Sequence, residues 1–168
     1  MSEAIFKKTY FYNAHAHGLS ARFERPVEHM IEVQAATSLP TTGGHGNARL
    51  NKFKFQEFVS YETAYSHVSG SQNKADAAYT TLVTATIEGL NILDVVTADR
   101  IVARMSSQHP GDHHEPHIVF LGSRFDNLRI AGCPVEAELN HDLFLRLDTF
   151  AAIRKELESN NDFRTPRS

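Results

Sequence analysis

Apolar and polar residues alternate with a period of two along most of this chain, the pattern of half-buried antiparallel strands. From Thr9 to His17, Tyr10, Tyr12, Ala14 and Ala16 fall on one face, and Phe11, Asn13, His15 and His17 fall on the other. Gly18 interrupts the run. Leu19, Ala21 and Phe23 then alternate with Ser20, Arg22 and Glu24 until Pro26 stops the pattern. From Val27 to Leu39, Val27, His29, Ile31, Val33 and Ala35 alternate with Glu28, Met30, Glu32 and Gln34. The tract SLPTTGGHGN supplies a turn-rich break.

Three later stretches align. ARLNKFKFQEFVSYE from Ala48, ATIEGLNILDVVTAD from Ala85 and SRFDNLRIAGCPVEA from Ser123 place apolar residues at matching positions. These are Leu50/Ile87/Phe125, Phe53/Leu90/Leu128, Phe55/Ile92/Ile130 and Phe58/Val95/Cys133. The match predicts an internal repeat whose unit is a short strand, a tight turn and a longer strand. In the second copy the long strand, VVTADRIVARMSS, sets Val96, Ala98, Arg100 and Val102 on one face. The polar tracts SGSQNKADA and SSQHPGDHHEPH separate the copies.

After Asp142 the period changes. Leu143, Leu147, Phe150, Ile153 and Leu157 recur at helical spacing. One amphipathic helix is expected over 143–158, with Asp148 as a candidate N-cap, Asn160-Asn161 as its stop and a loose tail over 161–168. The expected fold is mainly β: an antiparallel sandwich or barrel of about nine to eleven strands with one C-terminal α-helix. It forms a single domain over 1–160.

Composition narrows the functions. A chain of 168 residues, 41% apolar, can bury one core. The net charge of -3 and the dispersed basic residues give no electrostatic case for nucleic acid or an anionic membrane surface. No run approaches the ~20 apolar residues of a membrane span, and the N-terminus lacks a signal-peptide core. The expectation is a cytoplasmic protein with no membrane insertion, although nonclassical export leaves no mark in a sequence. The single cysteine, Cys133, allows no internal disulfide. Its alignment with Val95 and Phe58 predicts a core position.

Candidate chemistry lies in two histidine-rich stretches. SSQHPGDHHEPH, Ser106 to His117, offers His109, His113, His114 and His117, with Asp112 and Glu115 among them. Converging imidazoles bind Zn, Ni or Cu, but the two prolines and Gly111 rule against a helix that would align them. A solvated hairpin loop is the favoured reading, and no cofactor is expected. In NAHAHG, His15 and His17 share one strand face, the geometry of a His-x-His metal pair. Cupins follow such a pair closely with a Glu, but here the next carboxylate is Glu24, beyond Gly18, so two surface histidines are favoured. LPTTG, Leu39 to Gly43, matches a sortase signal without the apolar segment and basic tail that a signal needs, so it reads as a turn. No nucleophile elbow, Cys-x-x-Cys pair or matched acid/base carboxylates appear.

The stretch from LPTTGG through ATIEGLNILDVVTADRIVARMSS to GSRFDNLRIAGCPV resembles the choice-of-anchor P extracellular proteins, within a group of bacterial all-β proteins. The resemblance spans residues 39 to 138 and rests on strand and turn patterns. It implies a surface or structural β protein and carries over no catalytic residue. Three functions compete. The first is a noncatalytic structural or self-assembling protein, expected as a homo-oligomer because sheet edges pair. The second is a barrel-type carrier of a small apolar ligand. The third is a metal-dependent enzyme using the histidines.

Overall fold

The computed structural model describes residues 10–25, 28–111 and 114–159. Four short strands come first: β1 (His15–Ala16), β2 (Leu19–Phe23), β3 (His29–Gln34) and β4 (Thr37–Ser38). They pair antiparallel as β1 with β4 and β2 with β3. The chain then runs through long strands that form the main sheet: β5 (Gly44–Phe55), β6 (Val59–Gln72), β7 (Tyr79–Ile92) and β8 (Val96–His109). These pair as an antiparallel meander. β9 (His117–Phe120), β10 (Arg124–Asp126) and β11 (Arg129–Ile130) all pair with β8, and β12 (Cys133–Pro134) pairs with β11. The sheet runs from β5 to β12 without closing. Of the two expected architectures, sandwich and barrel, this open sheet with the small N-terminal layer packed on one face is the sandwich.

That packing follows from the alternation. Ile31 on β3 is 3% exposed and sits in one core with Val59, Tyr61, Ala64, Ile87 and Leu90 of the main sheet. Leu19, Ala21 and Phe23 pack against it from β2. A second core joins Tyr12, Ala16 and Leu39 to Val68. Each fully buried apolar side chain of this size contributes about 1.5–3 kcal/mol. Gly70 allows the second core to close. A Cβ there would stand 2.6 Å from Tyr12 Cδ1 and 2.7 Å from Leu39 Cδ2. Of the strand expected over Thr9–His17, only His15–Ala16 is paired as strand among the described residues, which begin at Tyr10. In the Val27–Leu39 run, Ala35 at φ 50° separates β3 from β4, and Val33 stays 53% exposed.

The main sheet is bent along one line. The residue pairs flanking Lys52–Glu62, Glu62–Gly89, Gly89–Asp99 and Asp99–Asn127 are all in register, so these five residues form a row across the strands. Three of them lie in the left-handed region: Lys52 at φ 56°, Gly89 at 65° and Asn127 at 51°. The side chains change face at this row. Ile87 and Leu90, three apart, share a core, as do Tyr61 and Ala64. Val96, Ala98, Arg100 and Val102 therefore do not share a face. The partners of Val96 and Ala98, Ile92 and Leu90, lie in the first core, whereas Arg100 joins the opposite face through Tyr65.

Three other expectations are corrected. The single helix over 143–158 is two helices, α1 (His141–Arg146) and α2 (Phe150–Ser159). Asn140 Oδ1 caps α1 by accepting from Leu143 N. Thr149, not Asp148, caps α2, its hydroxyl accepting from Ala152 N. Cys133 is exposed, because the third aligned segment ends in β12 at the edge of the sheet. The strand expected to stop near Ser106 continues to His109. The expected helix stop at Asn160-Asn161 and the tail 161–168 lie outside the described residues.

Candidate functional site

The histidine-rich stretch is a hairpin connection with bonds of its own. His109 ends β8 opposite Tyr79, and its ring meets the edge of Tyr10 at 5.3 Å. His117 opens β9, and its Nδ1 lies 2.7 Å from Asp148 Oδ2. Ile118 N donates to the Asp148 carbonyl at 2.6 Å. The Glu115 carboxylate accepts from Ala151 N at 3.0 and 3.2 Å, in the first turn of α2, where a negative charge is favoured. His114 is exposed, and His113 and Asp112 lie outside the described residues. Among the described residues no three of His, Cys, Asp and Glu come together as metal ligands. The stretch fastens the helices to the sheet, a role its lack of apolar side chains had hidden.

His15 and His17 are exposed on β1 and just after it, with Ala16 between them buried in the second core. His17 Nε2 is 3.4 Å from Ser20 Oγ. Both histidines line a cleft of about 520 Å³. Its floor is the face of the main sheet that the N-terminal layer leaves bare. Pairings Val83–Met105 and Ala85–Ala103 set the β7 and β8 side chains side by side there, and Ile101 joins them from beside the buried Ile87. Phe120 and Phe125 extend it through their pairings with Met105 and Ile101, and Leu139 and His141 border it next to α1. Met105, Phe120 and Phe125 are each more than a third exposed.

The sequence carried a signal for this cleft that went unused. Val83 and Ala85 on β7, and Ile101, Ala103 and Met105 on β8, alternate as inward positions, yet no later segment among the described residues supplies a layer to cover them. His141 and Ser123 were not singled out at all.

The phenols report the two faces of the sheet. Burial raises the pKa of Tyr10, helped by Tyr79, and that of Tyr12, helped by Tyr10 and Tyr79. Burial also raises Tyr61. On the opposite face, Tyr65 is lowered by its hydrogen bond with Thr86 and by Arg100, whose Nη2 donates to the phenol oxygen at 3.1 Å. Tyr10 and Tyr79 stack at 4.0 Å beside the cleft's end.

A family model described as Domain of unknown function (DUF8256) matches residues 10–167. No curated protein and no solved structure matches the chain. No helix among the described residues is long and apolar enough to cross a membrane.

Proposed function

The chain belongs to the DUF8256 family, and we propose that it is a noncatalytic β-sheet protein that binds a small, predominantly apolar ligand in the cleft over β7 and β8. The supporting observation is the cleft itself. About 520 Å³ lies within the about 300–1,000 Å³ of small-molecule sites. Its lining is mostly apolar, and unlike the barrel interior expected for a carrier it opens at the surface of an open sheet.

Titration with the neutral fluorophore N-phenyl-1-naphthylamine tests the reading. Saturable binding is expected, and Ala103→Trp, which fills the floor, abolishes it. A linear, unsaturable signal sinks the proposal.

Self-association is the second reading, supported by apolar side chains on the helices: Leu145 is 58% and Phe150 69% exposed. Strand pairing is the weaker route, since β5 carries Arg49, Lys52 and Lys54 and a kink at Lys52, and β12 holds Pro134, all of which discourage edge growth. A light-scattering mass above 18.8 kDa that Phe150→Ser returns to one chain supports this reading; a mass of one chain at high concentration removes it.

The internal repeat is also part of this proposal. Lys52, Gly89 and Asn127 occupy one aligned position, and Gln56, Leu93 and Ala131 another. All six have positive φ, and a hairpin turn starts at each residue of the second set.

A further inference from the structure

We propose that the ligand is a free single-chain amphiphile with a carboxylate head, lying along β7 with its head toward Thr81 and Ser107. The inference rests on the cleft being a ligand site. The cross-strand pairs along this face run Tyr79–His109, Thr81–Ser107, Val83–Met105 and Ala85–Ala103 through the recesses, and Ile87–Ile101 then passes into the first core. The row is polar at one end and apolar over the rest. From Thr81 to Ala85 it spans about 14 Å, at about 3.4 Å per residue. A second recess of about 350 Å³ continues the cleft at the polar end. It shares His15, Val83 and Met105 with the main cleft and adds Asn13, Thr81, Ser107 and His109.

Three features of that end select an anion. Asn13, Thr81 and Ser107 make no side-chain hydrogen bond to another described residue, so an amide and two hydroxyls are open to a ligand. His15 and His109 add N–H donors whatever their protonation state. Neither recess is lined by any Asp or Glu, although the chain has 20 of them and a net charge of -3. A carboxylate accepts from several donors at once, and bonds to a charged acceptor are about twice as strong as neutral ones. The acyl chain then lies on Val83, Met105 and Phe120, where no polar partner is needed.

Competition against N-phenyl-1-naphthylamine with dodecanoate and dodecanol tests this. Dodecanoate is expected to bind at least about tenfold more tightly than dodecanol, about 1.4 kcal/mol. Thr81→Val with Ser107→Ala removes that preference and leaves dodecanol binding unchanged. Ser107→Ala with Asn13→Ala spares the buried Thr81 and is the companion variant should the first pair lower the melting temperature. Equal affinity for the two amphiphiles, or a preference that survives both variants, overturns the inference while leaving the cleft reading intact. Failure of the fluorophore and both amphiphiles to bind overturns the two together. Sedimentation with phosphatidylglycerol vesicles in the absence of dodecanoate binding would point to a membrane surface instead and likewise overturn it.

Discussion

The face of the main sheet that carries both cores has two halves, built from the same kind of alternating strand. Over β5, β6 and part of β7 the N-terminal layer closes on it: Ala64 and Val68 are 0% exposed, and Ile31 is buried against the sheet. Over β8, β9 and β10 the pattern is just as apolar, yet Met105, Phe120 and Phe125 remain more than a third exposed. The first half stabilises the fold because it is dry. The second adds little to stability and offers a surface to something else. Alternation therefore says that a face is apolar, not what covers it.

The largest effects should come from attacking the covered half. Ile31→Ala removes a buried side chain between the layers and should cost about 2–5 kcal/mol. Met105→Ala on the bare half should cost below about 1 kcal/mol while weakening fluorophore binding. Urea unfolding of both variants checks the contrast. Similar losses would mean that the cleft is as closed as the core.

The bend that crosses both halves gives the next effect. Gly89 is at φ 65°, and a Cβ there would meet Glu62 Cγ at 2.6 Å. Gly89→Ala should cost about 1–2 kcal/mol from backbone handedness, plus whatever displacing Glu62 adds. Lys52→Gly, at the same row and already at φ 56°, should cost nothing or stabilise by up to about 1 kcal/mol. Thermal unfolding of the pair separates a true bend from a tolerant strand: equal destabilisation by both would remove the bend as the cause.

The fastening of the helices is worth less. Glu115→Ala deletes a carboxylate that accepts from Ala151 N, and caps of this kind contribute about 0.5–2 kcal/mol. The loss should appear as faster amide exchange in α2, with the main sheet unaffected. Unchanged exchange in α2 would detach the histidine-rich stretch from any structural role.

These contrasts mark what the chain's sequence made legible. Ile31, Tyr12 and Ala16 were read as inward-facing, and they are, because a half-buried strand writes its burial into a period of two. The matched apolar positions of the three aligned segments were also visible. Within each, the step from Leu50 to Phe53, Ile87 to Leu90 and Phe125 to Leu128 is three residues, not two. That step is the mark of the bend. It was passed over because only Gly89 of the three bend residues is a glycine, while Lys52 and Asn127 reach positive φ with side chains attached. The apolar floor of the cleft was legible in the alternation of β7 and β8, but its being left open was not, because that depends on where the N-terminal layer stops. The bonds of Glu115 to Ala151 in α2 and of His117 to Asp148 just before it were hidden for a similar reason: polar contacts 36 and 31 residues apart leave no periodic trace.

The smallest expected effect compares the two faces of the sheet through their phenols. Tyr12 and Tyr61 pack in the cores, and the Tyr61 hydroxyl is buried with no hydrogen-bond partner among the described residues. Burial disfavours their charged forms, so their pKa values are raised. A raised folded pKa contributes stability that is fully present below the unfolded value of about 10 and is lost as pH rises through the folded value. Tyr65 has the opposite sign. The Thr86 and Arg100 contacts lower its pKa, so its ionised form is favoured in the folded state and its contribution grows as pH rises. The core phenols outnumber it, so net stability should fall above about pH 10. In a spectroscopic phenolate titration of the folded protein, Tyr65 should ionise before Tyr12 and Tyr61. Tyr65→Phe should delete that earliest step and leave the later ones in place. If the earliest step survives Tyr65→Phe, the polar face does not hold Tyr65 in the bonds described here, and the contrast between the faces fails at that residue.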